Sequence, residues 1–320
     1  MAAVALGNVG FMRPFRFGLQ STATAPQGVV GAARAAQDAG FDMFQVGDHV
    51  GAEPSALVCL AAAAVATERI RLGTLVLNND LRHPVQLAQE VATLDQLSGG
   101  RLEVGLGAGH SFTEYAAMGQ PFDPPATRKE RLAESVEIVR GLLDGGGPVS
   151  FHGVHYELDG AVTLAPQQEH VPLLVGVNGR TALAHAVRHA DIVAPTMLGR
   201  TREDGQHHDV RWEASRLDST IEWMRNEAGE RWDSIELHAL VQAVVITEDR
   251  AHATAEIAGR IGLDVADALS TPFLCVGTPG EIAQHLLACR ERWGFSYYSV
   301  RDIDAFAPVV ARLREVDRGR

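Results

Sequence analysis

The sequence is short of positive charge, and of lysine above all. Its 28 basic residues face 40 acidic ones, a formal balance of −12, and Lys129 is the only lysine in 320 residues. A non-specific nucleic-acid binder needs a positive surface, so no nucleic-acid partner is expected. Any anionic ligand must be gripped by local donors such as helix N-termini. No physical requirement makes lysine rare, and a GC-rich coding genome accounts for it. Cysteine is scarce too. Cys59, Cys275 and Cys289 are odd in number, far apart and set in apolar stretches without C-x-x-C spacing. That excludes a disulfide framework and reads as reduced core thiols in a cytoplasmic protein. No apolar run reaches membrane-spanning length, so no membrane partner is expected. The opening "MAAVALGNVGFMRPF" has no basic n-region and is not expected to act as a signal peptide. Also missing are G-x-S-x-G, H-E-x-x-H and a Walker loop, which removes the corresponding serine-hydrolase, zinc-protease and phosphate-loop chemistries. His185 and His189 stand four apart on a helix, but neither motif glutamate nor third ligand accompanies them, and no metal is expected. His207-His208-Asp209 reads as a polar loop.

What is present is ordinary globular composition, 46% hydrophobic and 21% charged, arranged in a strand–helix rhythm. Strands are expected at 15–20, 42–47, 71–77, 102–107, 172–177, 191–196, 239–247 and 297–301, all near-continuous apolar runs of the kind covered on both faces. Helices alternate with them. Pro84 opens one that carries Leu87, Val91 and Leu94 on one face and stops at Gly99-Gly100. Another begins near Thr127, and Thr278-Pro279-Gly280-Glu281 reads as a capping box. Eight such units with no linker predict an α/β fold, a single (β/α)8 TIM barrel with insertions over residues 1–320, rather than two Rossmann-like halves. The insertions are a hairpin at 148–158, turning at His152-Gly153, and a polar stretch at 197–212. The latter follows the sixth strand on the catalytic face, as either a lid or a surface loop.

In a barrel the C-terminal strand ends make one mouth. Gly107, Ala108, Gly109 and His110 end the fourth strand there. G-x-G-x-G at this place is not a dinucleotide fingerprint, but glycines let a flat ring or a phosphate approach the backbone. Asp48-His49 end the second strand, Asn78-Asn79-Asp80 the third, Asn178-Gly179 the fifth. Asp48 suits fixing the His49 ring or accepting a cofactor N–H, and His49 and His110 suit proton transfer. The amides after Asn178-Gly179 open an Ala-rich helix and suit a phosphate.

The stretch "TERIRLGTLVLNNDLRHPVQLAQEVATLDQLSGGRLEVGLGAGH" (67–110) closely resembles the signature of the bacterial luciferase-like superfamily. So do "FQVGDHV" (44–50), "EYAAMG" (114–119), "VPLLVGVNGRTALAHAVRHADIVAP" (171–195) and "VGTPGEIAQHL" (276–286). The chain is most similar to the actinobacterial branch that uses the deazaflavin coenzyme F420. The resemblance implies a (β/α)8 barrel binding F420, or alternatively FMN, at its mouth. By position, Asp48 and His49 match a pair beside the deazaflavin ring, and Leu75-Val76 a bulge with a non-proline cis peptide against one ring face. Asn78, Gly107, Ala108 and Gly109 match ring- and tail-contacting positions, and Asn178-Gly179 a glycine pair at the phosphate. In the similar sugar-phosphate dehydrogenases a catalytic glutamate follows the third glycine, where this chain has His110. They also use lysines for substrate phosphate, where the 197–212 stretch has no lysine and offers arginines such as Arg200 and Arg202. Both departures argue against glucose-6-phosphate oxidation. The resemblance therefore implies an oxidoreductase moving hydride between F420 and a small organic substrate, as a reductase. His49 and His110 are its acid/base candidates and Asp48 orients. Its alternatives are an FMN-dependent monooxygenase activating oxygen and a non-catalytic flavin-binding barrel. A homodimer is expected, packed through alanine-rich helices two and three (Ala61 to Ala64, Ala88, Ala92).

Overall fold

The structure, a computed structural model, describes residues 12–318 apart from 52, 146 and 202–207. Eight strands run parallel around a closed barrel: β1 (Arg16–Gln20), β2 (Met43–Val46), β3 (Arg71–Thr74), β5 (Leu102–Gly107), β8 (Leu173–Val177), β9 (Ile192–Pro195), β12 (Glu236–Leu240) and β15 (Phe295–Val300). Each pairs with the next in chain order, and β15 returns to β1 with Arg16 opposite Tyr297. A two-residue strand β4 (Leu77–Asn78) continues β3 after an interruption at Leu75-Val76, and its Asn78 lies opposite Gly107 of β5.

Helices cover the outside of the barrel. They are α1 (Pro26–Asp38), α2 (Ala56–Ala66), α3 (Pro84–Ser98), a short α4 (Phe112–Ala117), α5 (Pro125–Asp144), α6 (Arg180–His189), α7 (Ala214–Ala228), α8 (Arg250–Ile261), a short α9 (Val265–Ser270), α10 (Pro279–Trp293) and α11 (Ile303–Arg318). Their ends follow local chemistry. Pro84 opens α3 behind His83, whose Nδ1 accepts the Val85 amide, and Gly99 closes it at φ 69°. The Thr278–Glu281 capping box opens α10.

The expected seventh strand divides. Residues 236–240 enter the barrel as β12. The chain then changes partners: the Val241 amide donates to Ser299 in the barrel, while the Gln242 amide donates to Phe273 outside it. The remainder forms β13 (Ala243–Ile246), paired with β14 (Leu274–Gly277) in a two-stranded sheet. An apolar run records covered faces, not which neighbour covers them. The predicted hairpin is present as β6 (Val149–His152) and β7 (Glu157–Ala161), on the side of the barrel after α5.

The barrel interior carries a buried polar network. The Arg16 guanidinium bridges Glu103 (2.6 Å) and Glu236 (2.5 Å). The Tyr297 hydroxyl donates to Glu103, Gln45 donates to Tyr297, and Ser299 donates to Gln45 while touching the His238 ring at 2.9 Å. Each buried charge is thus paired and hydrogen-bonded, the condition for tolerating it. The three cysteines are buried and free of disulfides. Of the alanines expected at a dimer contact, Ala62 is exposed and Ala61 half-buried, whereas Ala63, Ala64, Ala88 and Ala92 are buried, at 0–3% exposure. These four alanines pack within the chain and are not available to a second copy. Among the described residues no helix is long and apolar enough to cross a membrane.

Candidate active site

The C-terminal ends of β2, β4, β5 and β8 lie side by side, and they bring four predicted segments together: 48–49, 75–78, 107–110 and 178–179. The Leu75–Val76 peptide is cis. The backbone and side chains of 74–76 crowd the neighbouring glycines of β5. A Cβ on Gly107 would stand 2.6 Å from Val76 Cγ2, and one on Gly105 would stand 2.1 Å from the Thr74 carbonyl oxygen. Real Cβ atoms do not approach so closely, so Gly107 leaves room for the Val76 side chain and Gly105 for the Thr74 carbonyl. The Leu75 carbonyl accepts a 2.6 Å bond from Gln20, which in turn accepts from Arg301 at the end of β15.

Asp48 is buried and already engaged. Its carboxylate receives Arg82 at 2.6 and 3.2 Å and the Asn78 amide at 3.1 Å. It therefore fixes the β4 end. The hydrogen bond to His49 comes instead from Glu114 of α4, whose Oε1 lies 2.8 Å from His49 Nδ1. With Nδ1 occupied, Nε2 is the ring atom left for proton exchange. His110 stands edge-on to His49, centroids 5.9 Å apart. Its imidazole pKa is lowered, first by desolvation and then by the neighbouring His208 and His49 rings. Neutral His110 can accept or relay a proton near neutral pH.

His208 belongs to the 197–212 stretch, expected as either a lid or a surface loop, in which β10 (Leu198–Thr201) pairs antiparallel with β11 (His208–Val210). Its ring lies 5.4 Å from that of His110, so it reaches the mouth and is not a remote loop residue. Arg202, His207 and the side chain of Arg200 lie outside the described residues.

The fifth strand end is polarised by the start of α5. Lys129 Nζ donates to the Asn178 carbonyl (3.0 Å) and side-chain oxygen (3.2 Å). Arg128, next to it, donates to the Ala108 carbonyl at 3.3 Å. Gly179 sits at φ +82°, capping α6, and a Cβ there would meet Lys129 Nζ at 3.5 Å. Burial and Arg128 both lower the Lys129 pKa. A cavity of about 600 Å³ opens beside this corner, lined by Asn178, Gly179, Arg180, Arg211, Arg216 and Trp223 among others. Helix amides, one lysine and three arginines at one corner of an acidic chain fit an anionic group such as a phosphate. Asn78 is held by the Asp80 amide at 3.1 Å and the Tyr115 hydroxyl at 3.2 Å.

Three site residues escape sequence reasoning. Glu114 follows His110 by four residues, yet nothing in the order of residues pairs it with His49. Arg82 gives no local sign of reaching Asp48. Lys129 did carry a sign: it is the chain's only lysine.

The sequence model of the luciferase-like monooxygenase family matches residues 8–297. An F420-dependent glucose-6-phosphate dehydrogenase of Nakamurella multipartita is 35% identical over 188 residues, 56% of this chain and 55% of that enzyme. The chain thus matches about half the length of that relative. A Mycobacterium tuberculosis protein provisionally named a coenzyme F420-dependent oxidoreductase is 32% identical over 244 residues, covering 72% of this chain and 66% of the relative. Among solved structures, the coenzyme F420-dependent tetrahydromethanopterin reductase of Methanopyrus kandleri superposes with a TM-score of 0.74 over 94% of this chain and 100% of its own. At 21% identity that similarity speaks for the fold alone.

Proposed function

The chain belongs to the luciferase-like monooxygenase family, and on that premise we propose that it is a coenzyme F420-dependent oxidoreductase acting on a small organic substrate. The observation that carries the reading is the gathering of Asp48-His49, the Leu75–Val76 bulge, 107–110 and 178–179 at one barrel mouth, in a chain whose matched relatives are named for F420.

When bound, the deazaflavin supplies a ring carbon that carries hydride. The protein's own groups do the rest. Lys129 and the amides at Gly179-Arg180 would hold a phosphate of the cofactor, and Arg211 and Arg216, which line the same cavity, would supply further positive charge for an anionic group. The bulge at Leu75-Val76 and the Asn78 side chain bound the ring site. His49 exchanges a proton at Nε2 while Glu114 holds Nδ1, and this pair serves as the acid of a reductase. His110, kept neutral by desolvation and by its imidazole neighbours, relays protons behind it. With His110 where the resemblance implies a glutamate in the sugar-phosphate dehydrogenases, a substrate other than glucose-6-phosphate is expected.

Fluorescence-quenching titration with F420 and FMN tests the cofactor, and anaerobic F420 turnover against carbonyl and activated-alkene acceptors tests the reaction. Expected are tighter binding of F420 than FMN, and His49→Ala and His110→Ala variants that bind F420 normally but turn over at least about 100-fold more slowly. Preferred FMN binding with oxygen consumption makes the chain a monooxygenase. Tight binding without turnover on any acceptor makes it a carrier. A homodimer completes the proposal, with Val58 and Val65 of α2 and Leu97 of α3 exposed at 53–76% in place of the buried alanines. A monomer by light scattering at micromolar concentration removes that element.

A further inference from the structure

We propose that Glu137, His185 and His189 form a binding site for a divalent cation of the zinc type, which ties α5 to α6 on the outer wall of the barrel. His185 and His189 are one helical turn apart on α6, so their rings leave the same face. They lie 21° from parallel with centroids 6.3 Å apart. The third group comes from another helix, since Glu137 on α5 points at the same spot. Each of the three offers one ligand atom, and these atoms all fall within 4.8 Å of one another.

A bland reading is an ion pair between His189 and Glu137. Their closest atoms are 3.7 Å apart, beyond hydrogen-bond reach. A second observation also stands against it. His185 Nδ1 is buried and has no hydrogen-bond partner, which is a cost unless something satisfies the ring. A cation offers a common partner to all three groups. Tetrahedral coordination at bond lengths near 2.05 Å sets ligand atoms about 3.4 Å apart, so closure asks for shifts of roughly 1.4 Å at most. Side-chain rotation supplies that. All three residues are partly buried, so the ligands start from a restricted set of positions.

The donor set selects the ion. Two imidazoles and one carboxylate suit Zn²⁺, Co²⁺ or Ni²⁺, whereas Ca²⁺ and Mg²⁺ prefer all-oxygen shells. Three protein ligands leave a position for water. Two cations lie near: Arg231, which donates to the Val187 and Ala190 carbonyls, and Arg188, which pairs with Glu227. Their repulsion weakens the site, so micromolar rather than picomolar affinity is expected. The pair of histidines alone gave no metal signal because Glu137 is 48 residues away in sequence.

The test uses the full chain, stripped with EDTA, dialysed and titrated with Zn²⁺ against a chromogenic chelator; Co²⁺ is added separately to record its visible bands. The expected result is one Zn²⁺ per chain, intense tetrahedral Co²⁺ absorption, and at least tenfold weaker binding in His189→Gln and Glu137→Gln. His252→Ala, at an exposed histidine on α8, leaves binding unchanged. Far-UV circular dichroism and F420 titration confirm that each variant is folded, independently of metal. Absence of stoichiometric Zn²⁺ binding, or binding that survives both Gln variants, overturns the proposal.

Discussion

Replacing Lys129 with methionine isolates the grip on the phosphate. The ammonium stands 3.0 Å from the Asn178 carbonyl and 3.2 Å from its side-chain oxygen, and 3.5 Å from where a Cβ on Gly179 would lie. Its pKa is lowered by burial and by Arg128, so the charge is partly withdrawn from water and an arriving anion relieves that penalty. A hydrogen bond to a charged partner contributes about 1.5–3 kcal/mol, which corresponds to roughly 10- to 150-fold in Kd. Methionine keeps most of the stem's packing, and Asn178 stays held through its bond to the Leu198 carbonyl at 2.8 Å. Fluorescence titration of F420 at low ionic strength reads the loss, because salt screens the partly exposed pair. The internal control is the deazaflavin nucleoside without phosphate, whose affinity should change less than about twofold if the phosphate is the partner. Unaltered F420 binding in the variant, or an equal loss for the nucleoside, would falsify the assignment of Lys129 to the phosphate.

Two further outcomes follow from packing and titration. Gly105→Ala places a Cβ 2.1 Å from the Thr74 carbonyl, a backbone atom that cannot swing away; a loss of about 3 kcal/mol is expected, read as a Tm fall of roughly 4–5 °C, and an unchanged Tm shows that the β3–β5 seam can relax. His238 and His285 are buried with pKa values pushed down to about 3 and about 4, mainly by desolvation. Their folded pKa values lie below the unfolded 6.5, so the unfolded chain binds more protons and stability falls as pH drops below about 6.5, levelling off near pH 3–4. At pH 5 each histidine costs about 2 kcal/mol relative to pH 7.5. Urea midpoints at the two pH values read this, and His285→Gln should remove its share; a variant with the full wild-type pH dependence contradicts it.

The backbone plan was legible because it is written in local terms. Apolar runs covered on both faces mark barrel strands, Pro84 and the Gly99-Gly100 pair bracket α3, and Thr278 with Glu281 closes a capping box within four residues. Leu75-Val76 could be placed from resemblance, since the surrounding stretch is long and specific. The seventh strand shows where such signals stop. Residues 239–247 look like one strand, but hydrogen bonding to Ser299 on one side and Phe273 on the other divides them.

The sequence by itself determined the α/β barrel, the order of its strands and the set of polar residues that end at its mouth, because periodicity, caps and strand ends depend on neighbours in the chain. Only the tertiary structure decided which of those residues touch: Glu114 rather than Asp48 on His49, Arg82 on Asp48, Lys129 on Asn178, Val76 in the space left by Gly107, and Glu137 beside His185 and His189. Each of these contacts joins different secondary elements, often across tens of residues. Their partners are chosen by how the helices settle against the barrel, which no local pattern encodes.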